Sequence, residues 1–300
     1  WGDDGLPLAV VEAKKTIKDP RVGQQQAKLY ADCLENEFKR RPLIYYTNGY
    51  EHWFWDNLNY PPRRVQGFHK KDELELMIQR RTNRLPLAGV KINKEIAGRP
   101  YQEQAIRSVT ESMEKKNRRR NLLVMATGTG KTRVAIALSD LLTQCNWAKR
   151  VLFLAVRRPL VKQATAAFAN HLPNVGVVNL LINPDSQGRI YVSTYQTILN
   201  QINKTDGEKR KFGIGHFDLV IIDEAHRSVY NRYRSIFSYF DSYLLGLTAT
   251  PRDEIDRNTY SLFQTETGMP TYAYGLEEAI SQGFLTPPRA VSVPLKCQRE

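Results

Sequence analysis

Cysteine is scarce: Cys33, Cys145 and Cys297 stand far apart in a chain of 300 residues, with no CxxC pair. That spacing argues against a disulfide framework and a cysteine-built zinc site, and it suits a reducing cytoplasm. Long apolar runs are missing too, so no segment reads as a membrane span and no membrane partner is expected. Acidic residues run short, 31 against 44 Lys and Arg, leaving a formal charge of +13 and a pI near 9.6. A deficit of that size favours a polyanionic partner, nucleic acid before membrane. Internal repeats and low-complexity tracts are absent. What remains, 41% hydrophobic and 25% charged residues, describes an ordinary globular chain. Its length allows two domains, or one large and one partial.

The stretch around which the rest is organised is Leu122-Leu123-Val124-Met125-Ala126-Thr127-Gly128-Thr129-Gly130-Lys131-Thr132. Its apolar run is too short for a helix and reads as a buried strand closed by glycines. Gly128 and Gly130 let the backbone curl so that successive N–H groups point inward at an anion. Lys131 and Thr132 then open a helix with Val134, Ala135, Leu138, Leu141 and Leu142 on its apolar face. The dipole of that helix adds positive potential to the loop. Residues 127–132 therefore read as a nucleoside-triphosphate cradle, with Lys131 for the β/γ-phosphates and the Thr132 hydroxyl for Mg²⁺. One departure stands out: the pattern G-x-x-x-x-G-K-[ST] wants glycine at 125, where Met125 stands.

Downstream, apolar strands are expected at Val151 to Ala155, Ile190 to Ser193, Asp218 to Ile222 and Leu244 to Thr248, between amphipathic helices. Such a pattern implies a parallel sheet covered on both faces, with ligands bound at the carboxyl ends of its strands. Asp223-Glu224-Ala225-His226 follows one strand directly. Two adjacent acids in line with a phosphate loop fit a division of labour: Asp223 for Mg²⁺, Glu224 for the attacking water. Upstream of the loop, Tyr101 is placed to stack on adenine, and the amides of Gln102 and Gln104 to read its edge.

Near the amino terminus, the strand from Leu8 to Val11 runs into Glu12-Ala13-Lys14. Glu12 and Lys14 share a strand face, so a carboxylate and an ammonium project together toward a divalent metal and an attacking water. Gln26 and Tyr30 share one face of a helix expected from Gln24 to Lys39. Strands Pro42 to Tyr46 and His52 to Trp55 follow, joined at Thr47-Asn48-Gly49. The segment 61–98 reads as a basic connector around a helix from Asp72 to Arg80. Its Arg63-Arg64, Lys70-Lys71, Arg80-Arg81 and Arg84 are expected to be solvated, with a phosphate-tracking surface as the alternative.

P-L-A-V-V-E-A-K followed by Q-x-x-x-Y resembles the PD-(D/E)xK nuclease domain of the R (motor) subunit of type I restriction enzymes. A-T-G-T-G-K-T, D-E-A-H-R-S, G-L-T-A-T-P and residues 272–288 are similar to the superfamily 2 motor of that same family. The resemblance implies an α/β fold: a RecA-like parallel-sheet motor lobe preceded by a partial PD-(D/E)xK-type α/β nuclease domain. It assigns 1–60 to the partial nuclease domain, 61–98 to the connector and 99–270 to the first motor lobe. Residues 271–300 would lead into a second lobe not included. By the same resemblance Glu12 and Lys14 are the nuclease pair, and Gln26 and Tyr30 support them. The family's metal-binding Asp would fall at or before Trp1, since Asp3 and Asp4 lie too close to Glu12. His226 would couple nucleotide state to Thr248 and Thr250. Arg157, Thr194 and Gln196 would touch a sugar–phosphate backbone, although Val156 stands where that family usually has Asp.

The expected function is that of a fragment of the R subunit, an ATP-dependent translocase of double-stranded DNA that also cleaves it. Modification and specificity subunits are its implied partners. Two alternatives stand beside this reading. One is a stand-alone superfamily 2 DNA or RNA helicase with an unrelated amino-terminal domain. The other is a nucleotide-gated DNA-binding module.

Overall fold

The computed structural model describes residues 1–56, 60–206, 209–225, 227–250, 254–255 and 257–287. Its first sheet follows from period-two alternation. Strand β1 (Ala9–Ala13) leads through a 3₁₀ turn (Pro20–Gly23) to helix α1 (Gln24–Phe38). Strands β2 (Leu43–Thr47), β3 (His52–Trp55) and β4 (Arg63–Val65) complete a four-stranded sheet in the order β1-β2-β3-β4. The first pair is parallel and the others antiparallel. On β2, Ile44 and Tyr46 pack with Ala27 and Ala31 of α1, whereas Leu43 and Tyr45 join the larger core shared with the second sheet. Arg63–Val65, expected in the connector, is thus the fourth strand of this sheet.

Helix α2 (Lys71–Asn83) bridges to the second unit, which begins with α3 (Pro100–Glu114), Pro100 occupying the first helical turn. Strand β5 (Arg120–Met125) and helix α4 (Lys131–Gln144) flank the glycine loop. Then come β6 (Val151–Ala155), α5 (Arg158–His171), β7 (Val177–Asn179), β8 (Ile190–Thr194) and α6 (Tyr195–Ile202). A short antiparallel hairpin, β9 (Thr205–Asp206) and β10 (Lys209–Arg210), follows α6. The unit continues with β11 (Leu219–Asp223), α7 (Arg227–Tyr239), β12 (Tyr243–Thr248) and α8 (Arg257–Leu262). Strand β13 (Tyr272–Tyr274) and α9 (Leu276–Ser281) end it.

Seven of these strands form one sheet in the order β13-β5-β12-β11-β6-β8-β7, every neighbouring pair parallel. Leu123, Phe153, Ile221 and Leu245 point to one core and Leu122, Leu152, Val220 and Leu244 to the other, so both faces are covered. This is the expected RecA-like α/β lobe. Strand β13, placed by the sequence reading beyond the lobe, is its edge strand beside β5. With all strands parallel, their carboxyl ends share one edge. The order puts β5, β12 and β11 side by side, followed by β6 and β8.

The basic residues of 61–98 are only partly a solvated face. The Arg63 guanidinium holds the Asp241 carboxylate through two bonds of 2.6 Å. Arg119 reaches the same carboxylate at 2.9 Å, and His69 at 3.2 Å. Burial alone would push Asp241 up; Arg119, Arg63 and His69 hold it well below the usual carboxylate range. Arg80 pairs with Asp218 at 2.5 Å, and the N–H groups of Lys149 and Arg150 donate to that carboxylate. These ion pairs join the first sheet and α2 to the amino edge of the second sheet. An isolated buried charge is costly, so arginines whose acids lie 178 and 138 residues away become internal.

Candidate functional site

The phosphate loop takes the shape its glycines allow. Gly128 and Gly130 have φ of 85° and 86°, a left-handed conformation that strains any residue with a Cβ. A Cβ at Gly130 would come within 2.6 Å of the Gln102 amide nitrogen. Thr129 is fully buried, its hydroxyl donating to the Ala126 carbonyl at 2.6 Å. Thr127 and Gly128 are exposed at the tip, and Lys131 and Thr132 are half-buried in the first turn of α4. The Lys131 ammonium donates to the Met125 carbonyl at 3.1 Å. Burial pulls its pKa down, against the opposing pull of Glu224 and then Asp223.

Asp223 ends β11, two strands from β5, so the acid pair meets Lys131 across the end of β12. Burial and then repulsion by Glu224 push the Asp223 carboxyl up to about 6; Lys131 and the Glu224 N–H act the other way. Glu224 itself sits at φ 56°, an unusual conformation for a residue other than glycine, costing on the order of 1–3 kcal/mol. Thr248, at the end of the intervening strand, is fully buried, and its hydroxyl accepts from the Thr250 N–H at 3.1 Å. His226 lies outside the described residues.

Upstream residues take a different part from the one expected. Tyr101 is buried, stacked on Tyr274 with centroids 4.1 Å apart and planes 9° from parallel, and Phe284 meets it edge-on at 5.0 Å. Its ring is thus packed against protein rather than left open for adenine, because burial between two aromatic rings favours the closed arrangement. Its hydroxyl donates to the Thr129 carbonyl at 3.0 Å and accepts from Arg99 at 2.9 Å. Gln102 is buried too, donating to the same carbonyl at 2.9 Å and accepting from the Arg99 N–H at 3.3 Å. Both residues brace the phosphate loop. Of the three, Gln104 alone is exposed, accepting from the Tyr272 hydroxyl at 3.3 Å.

Arg157, two residues past the end of β6, and Gln196, two residues past the end of β8, are exposed at the same sheet edge. Thr194 is 9% exposed, and its hydroxyl caps α6 by accepting from the Thr197 N–H at 3.2 Å. Its hydroxyl is therefore committed to the helix, and Arg157 and Gln196 are the open pair. Sequence reasoning gave no role to Tyr195, which lies between Thr194 and Gln196. Its hydroxyl donates to the main-chain carbonyl of Asp223 at 2.6 Å. Only the flanking threonine and glutamine hinted at it.

In the amino-terminal unit, Glu12, Lys14, Gln26 and Tyr30 form one chain of polar contacts. The Lys14 ammonium lies 2.7 Å from both Glu12 Oε1 and Gln26 Oε1, and Gln26 Nε2 donates to the Tyr30 hydroxyl at 2.6 Å. Gly23 lets the turn pass close, since a Cβ there would come within 2.9 Å of Glu12 Cγ. Asp4 is elsewhere, held by Arg40 at 2.5 Å. Among the described residues no group of three or more His, Cys, Asp or Glu is placed to hold a metal ion. The described side chains around Glu12 do not by themselves form a metal site. The candidate nucleotide cradle does fit such a ligand: left-handed glycines, a half-buried lysine and a carboxylate pair close to it.

Among the described residues no helix is long and apolar enough to cross a membrane. Comparison with known proteins agrees with this geometry. The family described as type III restriction enzyme, res subunit (ResIII) matches residues 95–253. The EcoAI type I restriction endonuclease subunit of Escherichia coli is 32% identical over 97% of this chain and 37% of its own length. The EcoKI endonuclease subunit of E. coli K12 is 28% identical over 93% of this chain and 29% of its own. A fragment structure assigned to the HsdR subunit of a type I restriction enzyme from Vibrio vulnificus YJ016 superposes with a TM-score of 0.50. It shares 30% identity over 93% of this chain and 49% of that one. The chain thus spans about a third of the length of the two curated relatives, and by the match over 95–253 it belongs to the ResIII restriction-enzyme family, as a relative of type I endonuclease subunits.

Proposed function

We propose that this chain is part of a type I restriction endonuclease (R) subunit, in which ATP hydrolysis drives movement along double-stranded DNA that the same subunit cleaves. The observation that carries the reading is the meeting of Lys131, Asp223 and Glu224 at the carboxyl edge of the parallel sheet, within reach of each other's charges. Mg²⁺, when bound with ATP, would neutralise phosphate charge and polarise the group being transferred. Lys131 and the loop amides of 127–130 bind the phosphates, while Thr132 and Asp223 hold the ion. Glu224 orients the attacking water and receives its proton. Thr248, at the end of the strand between loop and acids, and Thr250 just beyond it, with His226, relay the state of the nucleotide. Gln104, rather than Tyr101 or Gln102, is left to face the base.

Arg157 and Gln196 follow neighbouring strands and reach phosphates, not base edges, so sequence recognition falls to partner modification and specificity subunits. The Glu12–Lys14–Gln26–Tyr30 chain favours this reading over a helicase with an unrelated amino-terminal domain. Residues 1–65 then serve as the nuclease unit, 99–287 as the first motor lobe with β13 included, and α2 as the bridge. ATP-dependent displacement of a triplex strand from duplex DNA by the assembled enzyme tests the translocase. Unwinding of a simple forked duplex in its place would select the helicase.

DNA affinity should be salt-sensitive and nearly independent of sequence for this subunit without its recognition partners. Titrations at several salt concentrations should show log K falling with log salt by about one unit per phosphate contacted. A flat dependence would refute backbone tracking. In the assembled enzyme, Lys14→Ala should abolish DNA cleavage and leave ATP hydrolysis unchanged. An unaltered cleavage rate would remove the Glu12–Lys14 pair from the nuclease reading.

A further inference from the structure

Tyr195 joins two parts of the site that the sheet keeps apart. It is the first residue of α6, directly after β8, between Thr194 and Gln196. Asp223 ends β11, and β6 runs between the two strands. The Tyr195 side chain therefore crosses over the carboxyl end of β6 to place its hydroxyl 2.6 Å from the Asp223 carbonyl oxygen. The residue is 1% exposed, so the tyrosine side of that part-buried bond is shielded from water. Its ring stacks on Tyr233, centroids 5.1 Å apart and planes 19° from parallel. Tyr233 lies in α7, the helix that follows the acid pair, and at φ −120°, ψ 19° it breaks the helical geometry there.

The carbonyl that Tyr195 holds belongs to the peptide linking Asp223 to Glu224. The orientation of that peptide sets where the Glu224 N–H points, and this N–H donates to the Asp223 carboxylate. Glu224 on its far side is held in the left-handed region. A residue in such a conformation stays there only when its surroundings over-determine it. One such hydrogen bond is comparable in size to that strain, so the bond to Tyr195 is large enough to bias the peptide between two settings.

We propose that Tyr195 is the positioning residue that couples DNA contact at the end of β8 to the orientation of the catalytic acid pair. Gln196 is exposed at the surface assigned to the DNA backbone, one residue along the chain from the tyrosine. A shift of the β8–α6 junction on DNA binding moves the Tyr195 hydroxyl, and with it the Asp223–Glu224 peptide. The path is a single side chain and a single peptide long. The inference rests on the ATP-driven reading above and adds the route by which DNA would regulate it.

The test is Tyr195→Phe in the assembled enzyme, which removes one oxygen and keeps the stacked ring. ATP turnover is measured with and without duplex DNA, alongside nucleotide and DNA affinities and the thermal midpoint. The ratio of DNA-stimulated to basal turnover should fall by about tenfold, with both affinities within about twofold of the unaltered enzyme. Gln196→Ala provides the contrast: DNA affinity and stimulation should fall together. Full stimulation in Tyr195→Phe overturns the proposal. So does an equal loss of basal and stimulated rates with a lowered midpoint, which would make the tyrosine a packing residue only. An unaltered enzyme whose ATPase ignores DNA would overturn the parent reading, and this coupling with it.

Discussion

Glu224→Gln should bind ATP as tightly as the unaltered protein and turn it over at least about a hundredfold more slowly. The amide keeps the size and much of the hydrogen bonding of the carboxylate but cannot accept the proton of an attacking water. On the proposed reading the phosphates are bound elsewhere, by Lys131 and the loop amides. Lys131→Ala should behave in the opposite way, losing nucleotide affinity first. Its ammonium is half-buried and already biased toward giving up its proton, so binding to a phosphate relieves a desolvation cost as well as making a charge-assisted bond. Calorimetric titration with ATP and phosphate release in the assembled enzyme separate the two. Equal loss of affinity in both variants would show that the acid and the lysine have been given the wrong roles.

The largest effect on folding is expected away from the edge where ATP binds. Asp241→Ala should destabilise the protein by about 3–5 kcal/mol, the usual cost of removing one partner from a buried charge network. Three groups lose their acceptor at once: Arg63 from β4, Arg119 just before β5, and His69 just before α2. They come from both sheets, so the variant should loosen the first unit from the second as well as lower the midpoint. The folded-state pKa of Asp241 is depressed, so its contribution is present above the unfolded value near 4 and fades as the pH falls below it. The thermal midpoint, measured from pH 7 down to acid, checks both statements. Glu111→Ala, which opens the exposed pair with Lys115, should leave it where it is. A midpoint unchanged in Asp241→Ala would mean that the network does not hold the two units together.

Much of the candidate nucleotide site was legible in the sequence because its requirements are local. A phosphate loop needs glycines at left-handed positions, a lysine at a helix start and an apolar strand before it, all within eleven residues. The acid pair needs only to follow a buried strand. In a parallel sheet every strand end falls on one edge, so the meeting of Lys131 with Asp223 and Glu224 followed once the strands were recognised. The polar chain of Glu12, Lys14, Gln26 and Tyr30 was readable for a similar reason, through the periods of one strand and one helix.

Tertiary structure alone decided the rest, wherever the outcome depended on strand order or on a distant partner. Tyr101 looked free to meet adenine until Tyr274 and Phe284, far along the chain, covered its ring. Residues 272–274 carried too short an apolar signal to be read as a strand, and acquire that role only by lying beside β5. Arg63 and Arg80 looked solvated because basic runs usually are; their acids, Asp241 and Asp218, arrive with the second sheet. Tyr195 had no local signal for its reach, since only the order β11-β6-β8 puts the Asp223 carbonyl one side chain away. Periodicity and glycine geometry are written within a few residues, whereas the partner of a buried charge or hydroxyl is settled by which strands the fold makes neighbours.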